Sequence, residues 1–376
     1  MKRRLRRIQR YLQRLIAGAT PPRTDWGYKG YVTLAMLFTA CSTTPPAPHQ
    51  NPLDASPPRY SLVFIIHGDG DYLYHDALGN ARRADEDVLA KAQTVAEQNP
   101  NANVYIFHEI ERRHVLYLIP RRDGRAYIYE RGRLVAQKSY WRDQGASRFD
   151  PEVRLYEEFA GGPDRPPVQL FFYFGHELPE FDGAGYDASY ATRRVTIQDL
   201  AQGIGDIAGD STKIDVVALA TCFGGTPYTI GALAPYARYI IASPDNLHLS
   251  YFDLAPLASL DIASGDGAVA AFAERFARNA FDQLANEVQT VVSVAVYDAN
   301  DVRAFVASVA DAYDRTLATT NGTSPAPVEH CDCADDSTYA LPGMSDGVTV
   351  LYRGPRFGRA KHKQQHSGWE CWRTAE

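Results

Sequence analysis

Two apolar runs each end on a reactive side chain: LFFYFGHE leads to His176, and IDVVALATC leads to Cys222. The thiolate rather than the thiol is the nucleophile, and a nearby imidazole is the usual means of producing one near neutral pH. Groups just past the carboxyl ends of neighbouring parallel strands converge on one crevice in an open α/β sheet. The residues between His176 and Cys222 contain a loop and a helix, the content of one crossover connection, so both are expected at one cleft. Phe223-Gly224-Gly225 follows the thiol, and glycines allow close backbone approach to a substrate. A helix begins soon afterwards, and its N-terminal amides are expected to favour the thiolate and a developing oxyanion. These residue types point to a Cys/His hydrolase.

The elements that must position them alternate along the chain. Tyr60–Ile66 reads as a buried first strand ahead of the turn HGDGD. Residues 79–98 read as an amphipathic helix, and Val104–Phe107 as a second strand. RAYIYERGRLVAQKSYW reads as an antiparallel hairpin turning at Arg131-Gly132. Helices are expected at 150–160, from a Thr196 cap to about Ile204, near 227–236, at 267–285 and at 299–318. Strands are expected at Arg238–Ser243, Thr290–Val296 and, last, in GVTVLYRGP. Such alternation predicts an α/β fold with a mostly parallel sheet covered on both faces.

The charge is unevenly distributed. Residues 1–40 carry nine Lys/Arg against one acid, Asp25, which leaves a net −14 on the rest of a chain whose total is −6. An acidic body excludes nonspecific nucleic-acid binding, which needs clustered cations. The basic leader runs into GYVTLAMLFTAC, too short for a spanning helix but suited to the apolar region of a secretory signal. Leu37-Phe38-Thr39-Ala40-Cys41 resembles the lipobox of bacterial lipoproteins. That resemblance implies a signal peptide over 1–40, lipidation at Cys41 and a cell-envelope location, the outer membrane in a Gram-negative cell. A Ser/Thr/Pro-rich tether follows over 41–59, and 60–376 reads as one domain. The alternative is a cytosolic protein with a basic tail.

The remaining cysteines, Cys331, Cys333 and Cys371, fall in the 319–376 segment. In an oxidising compartment Cys371 could pair with either Cys331 or Cys333. A metal site drawn from His330, Cys331, Cys333, His362, His366 and Cys371 is the rival, although Cys-x-Cys is not the usual zinc spacing. Asp69, Asp71 and Asp76 are candidate calcium ligands, but the spacing is short and a tight turn is the simpler reading.

The ordered series LVFIIHGDGD, LFFYFGHE, ALATCFGG, IIASPDNLHLSYFD and TVVSVAVYDANDV resembles the clostripain-like cysteine peptidases of the caspase-like clan, over about residues 60–357. The resemblance implies a caspase-like three-layer α/β/α sandwich, with catalytic Cys222 and His176 and an oxyanion held by backbone amides of Cys222 and Glu177. It also implies a peptide or protein substrate and no organic cofactor. Two residues depart from the family pattern. Glu177 stands where the family has glycine, and Ala220 stands where it has the aspartate that selects basic substrate side chains. Without that carboxylate the charge-assisted partner for Arg or Lys is missing. Asp245, Asp253 and Asp182 are candidate substitutes, and Tyr251 and Phe252 candidate pocket walls. The rival function is an inactive relative that binds peptide or a partner protein; a third is another hydrolase chemistry on the same scaffold.

Overall fold

Every residue of Tyr60–Gly68 (β1), Val168–Phe174 (β5) and Ile214–Ala220 (β6) is buried. Strands that read as continuous apolar runs are those covered on both faces. The computed structural model describes residues 58–374 apart from 76–77, 116–118, 146, 161–165, 210–212, 248–251, 263–264, 320–327, 336–338 and 340. The leader, lipobox and nearly all of the tether, with Cys41, lie outside the described residues, as do Asp76 and Tyr251.

Besides two short ribbons, Leu73–His75 with Ala81–Arg83 and His114–Val115 with Ile119–Pro120, the other described strands are Ala102–Ile110 (β2), Gly124–Glu130 (β3), Arg133–Tyr140 (β4), Ala237–Ala242 (β7), Val292–Asp298 (β8), Val328–Asp332 (β9), Val348–Arg353 (β10) and Glu370–Thr374 (β11). Nine of them form one sheet in the order β10-β8-β7-β6-β5-β1-β2-β3-β4. The five central strands run parallel, and each edge is completed by two antiparallel strands. The hairpin read from RAYIYERGRLVAQKSYW is β3–β4 at one edge. The outermost strand carries Arg133 and Lys138, charges that discourage pairing with another chain.

Side chains alternate between the two faces, as pleating requires. Tyr60, Leu62, Phe64 and Ile66 pack in a cluster with Val88, Ala92 and Val95 of helix α1 (Ala84–Gln98). Val63 and Ile65 enter the opposite cluster, with residues of α2 (Asp150–Ala160), α3 (Ile197–Ala208), α4 (Pro227–Leu233) and α6 (Arg303–Thr319). Helix α5 (Asp266–Glu287) returns to the first face through Phe272, Phe276 and Ala280. The expected three-layer α/β/α sandwich is thus present.

Several local expectations change. Residues 81–83 pair with 73–75 instead of starting the helix, which begins at Ala84. The chain does not end its strands at GVTVLYRGP, because β9 and β11 form a further antiparallel ribbon. That ribbon holds a Cys333–Cys371 disulfide, in which Cys331 takes no part. Helix α4 is short, and Thr226 Oγ1 already caps it by accepting from Thr229 N.

Candidate active site

The register of β5 and β6 matches Phe174 with Ala220, and the two candidate residues each lie two positions beyond that pair. A hydrogen bond from Gly175 N to Ala220 O at 3.4 Å continues the pairing past the strand ends. The sheet therefore brings His176 and Cys222 level with one another at its carboxyl edge, from adjacent parallel strands.

His176 is anchored at its backbone and its ring. Its Nε2 lies 3.0 Å from the Asp71 carbonyl, and its backbone N–H donates to Tyr72 OH at 3.0 Å. The Tyr72 ring stacks on the imidazole, with centroids 4.2 Å apart and planes 14° from parallel. A carbonyl can only accept, so Nε2 carries the proton and Nδ1 of the neutral ring keeps its lone pair.

The Cys222 thiol is half-buried and engages Leu247 at both backbone groups, 3.5 Å from the carbonyl and 3.4 Å from the amide. Burial pushes its pKa above the ordinary thiol value; the Leu247 amide opposes this, and the Glu177 carboxylate adds to it. This corrects the expectation that a helix N-terminus would favour the thiolate. Phe223 next to it has φ of 48°, a left-handed conformation that costs a non-glycine residue of order 1 kcal/mol or more. Three contacts hold that turn: Phe223 N to Asp245 O at 3.1 Å, Gly225 N to Ser243 O at 2.9 Å, and the Phe223 ring against His330 at 4.0 Å.

Glu177 follows His176 and sits 3.6 Å from His330 Nε2. Burial raises its carboxyl to about 7. Above that pH it is ionised and adds to the burial that disfavours the thiolate; below it the repulsion is gone. Glu177→Gln is accordingly expected to speed iodoacetamide alkylation of Cys222 above pH 7, because the thiolate loses a like-charged neighbour. The gap should close toward acid pH, and equal rates for the two proteins near pH 8 would overturn this account.

The pocket candidates scatter. Ala220 is buried beside Phe174, Leu247 and Phe252. Phe252 is 2% exposed and packs against Phe276 at 5.3 Å, so its ring fills core rather than lining a cleft. Asp245 has His366, Lys363 and Asp332 of the C-terminal segment as its charged neighbours. Asp182 pairs with Arg194 at 3.4 Å, and Asp253 Oδ1 accepts from Ala255 N.

The calcium reading meets the same obstacle. Asp69 is buried, with one oxygen 2.7 Å from Arg142 Nη1 and the other accepting from Ser189 N and Oγ, and Asp71 accepts from Leu73 N. Nor do His67, Glu109 and Asp187, whose donor atoms come within 4.8 Å of one another, suit a cation. Two guanidiniums, Arg142 and Arg148, already occupy the carboxylates. The C-terminal metal reading gives way to the disulfide.

Sequence reasoning named Asp71 and His330 only as candidate metal ligands, and it did not single out Tyr72 or Leu247. Asp71 and Leu247 act through backbone groups, which leave no mark on residue type.

A sequence model of the clostripain family matches residues 175–337, a span that contains both His176 and Cys222. No curated protein matches the chain. Among solved structures, an inactive zymogen C11 protease from Parabacteroides distasonis aligns with a TM-score of 0.53 at 13% identity, covering 85% of this chain and 92% of that one. A secreted C11 cysteine protease from Bacteroides thetaiotaomicron, in complex with an irreversible peptide inhibitor, aligns at 0.45 and 13% identity over 68% of this chain and 71% of its own.

Proposed function

We propose that this clostripain-like cysteine peptidase hydrolyses peptide bonds with Cys222 as nucleophile and His176 as its proton partner. The observation that supports this is the shared register of β5 and β6, which sets both side chains at one edge of the sheet. His176 Nδ1 takes the thiol proton as Sγ leaves Leu247 and attacks the substrate carbonyl carbon. Backbone amides of Cys222 and Glu177 stabilise the oxyanion. The imidazolium then protonates the departing amine, and water hydrolyses the thioester. No organic cofactor enters this sequence. The apolar surroundings of Ala220 favour a substrate pocket without charge-assisted recognition of Arg or Lys. A peptide library would test both points: cleavage should vanish in Cys222→Ala, and a strong preference for Arg would overturn the pocket argument.

One observation favours a silent relative that only binds peptide: the thiol rests on Leu247 with a raised pKa. The same geometry also fits a resting enzyme, since catalytic hydrogen bonds tighten only with substrate present.

We propose a cell-envelope location, with the chain anchored through a lipid on Cys41. The lipobox-like segment supports this, and the Cys333–Cys371 disulfide fits an oxidising compartment. Among the described residues no helix is long and apolar enough to cross a membrane. Palmitate labelling should be lost in Cys41→Ser; labelling that persists would remove the anchor.

A further inference from the structure

We infer that Tyr72 is the positioning residue for His176, fixed in turn by a buried charge network behind the site. This rests on the Cys/His reading above and adds to it what holds the imidazole in its working orientation.

The hydrogen bonds run in one consistent sense. His176 N–H donates to Tyr72 OH, and Tyr72 OH donates to His67 Nδ1 at 2.6 Å. His67 Nε2–H donates to Asp187 Oδ1 at 2.9 Å. This requires a neutral His67 and an ionised Asp187, and both follow from their surroundings. Burial lowers the His67 pKa. Burial alone would raise Asp187, but the His67 hydrogen bond, Arg148 and Arg142 together bring it well below the ordinary carboxylate range. Arg142 also grips Asp69 at 2.7 Å, and Arg148 grips Glu109 at 2.6 Å.

Each freedom of His176 is thereby removed. Its ring plane is set by the Tyr72 stack, its Nε2 by Asp71 O, and its backbone N–H by Tyr72 OH. Its carbonyl accepts from Tyr186 OH at 3.2 Å, and the Tyr186 ring lies 4.7 Å from that of His67. Gly70 leaves the room this needs: a Cβ there would stand 3.2 Å from the Tyr72 ring and 3.5 Å from His176 Cδ2. Buried ion pairs are weak evidence of stability but an attested means of fixing one arrangement. Here the arrangement fixed is that of the 69–72 turn, which carries both contacts to the imidazole.

Tyr72→Phe keeps the stack and removes the hydroxyl; Tyr72→Leu removes both. On a peptide cleaved by the wild type, Tyr72→Phe is expected to lower kcat about tenfold to a hundredfold with KM within about twofold, the size of loss that small misplacement of a catalytic group produces. Tyr72→Leu should lose more. Nitrogen NMR of His176 should show the Nε2–H tautomer in the wild type and a tautomer mixture in Tyr72→Leu. The core variant Val309→Ala, remote in sequence, supplies a stability control through its Tm. Wild-type kcat in Tyr72→Phe, or a loss matched by that control at equal Tm, overturns the inference. If His176→Ala is inactive while Tyr72→Phe is not impaired, only the positioning role falls. If His176→Ala keeps wild-type activity near neutral pH, the dyad falls and takes this inference with it.

Discussion

Cys222→Ala is expected to lower peptide hydrolysis by about 10⁴-fold or more, and His176→Ala by about 10²- to 10⁴-fold. The losses should not multiply in the double variant, because nucleophile and proton acceptor act as a unit. The asymmetry follows from the site itself. Without Cys222 there is no covalent route, whereas without His176 the thiolate still forms at alkaline pH. Since burial raises the thiol pKa, the residual activity of His176→Ala should climb with pH past the ordinary thiol range. Steady-state rates on one peptide across pH would check this. A Cys222→Ala protein with undiminished hydrolysis would place the chemistry elsewhere.

Arg142→Met is expected to destabilise the fold by about 3–5 kcal/mol, the cost of removing one partner from a buried ionic set. Arg142 is fully buried between Asp69, Glu109 and Asp187, and Arg148 alone cannot neutralise three carboxylates. Glu109 and Asp187 are held below their ordinary pKa against their own burial, chiefly by the two arginines and, for Asp187, by His67. Groups of that kind stabilise the fold above their unfolded pKa and lose the contribution as pH falls. The deficit of Arg142→Met should accordingly be full near neutral pH and shrink as the carboxylates protonate. Urea unfolding at several pH values measures both. A deficit below about 1 kcal/mol at neutral pH would mean that the cluster is solvated and not a buried network.

How far the sequence speaks depends on whether a residue acts through its neighbours in the chain. LFFYFGH and IDVVALATC announce themselves because strands buried on both faces read as unbroken apolar runs, and the reactive residue sits at the end. The β3–β4 hairpin shows in its alternation and its Arg131-Gly132 turn. The charge network as a whole is silent: His67 and Asp69 lie at the end of β1, Glu109 in β2, Arg142 and Arg148 in the loop before α2, and Asp187 in the loop before α3, with no common spacing. The disulfide is ambiguous for a geometric reason. Cys331 lies directly opposite Cys371 in the β9–β11 register, yet the bond is made by Cys333, just past the strand end. Position alone could not choose between them. The thiol environment is silent for another reason: the helix expected after Cys222 is present, but the burial that raises the thiol pKa comes from tertiary packing.

The left-handed turn after Cys222 has a partner far along the chain. Glu370 N–H donates to the Gly225 carbonyl at 3.1 Å, and His330 lies flat against Phe223. During synthesis, then, Cys222 leaves the ribosome well before the strand that supports its turn. A half-made copy carries the thiol without that support, so the loop after Cys222 is completed only once β11 has been made.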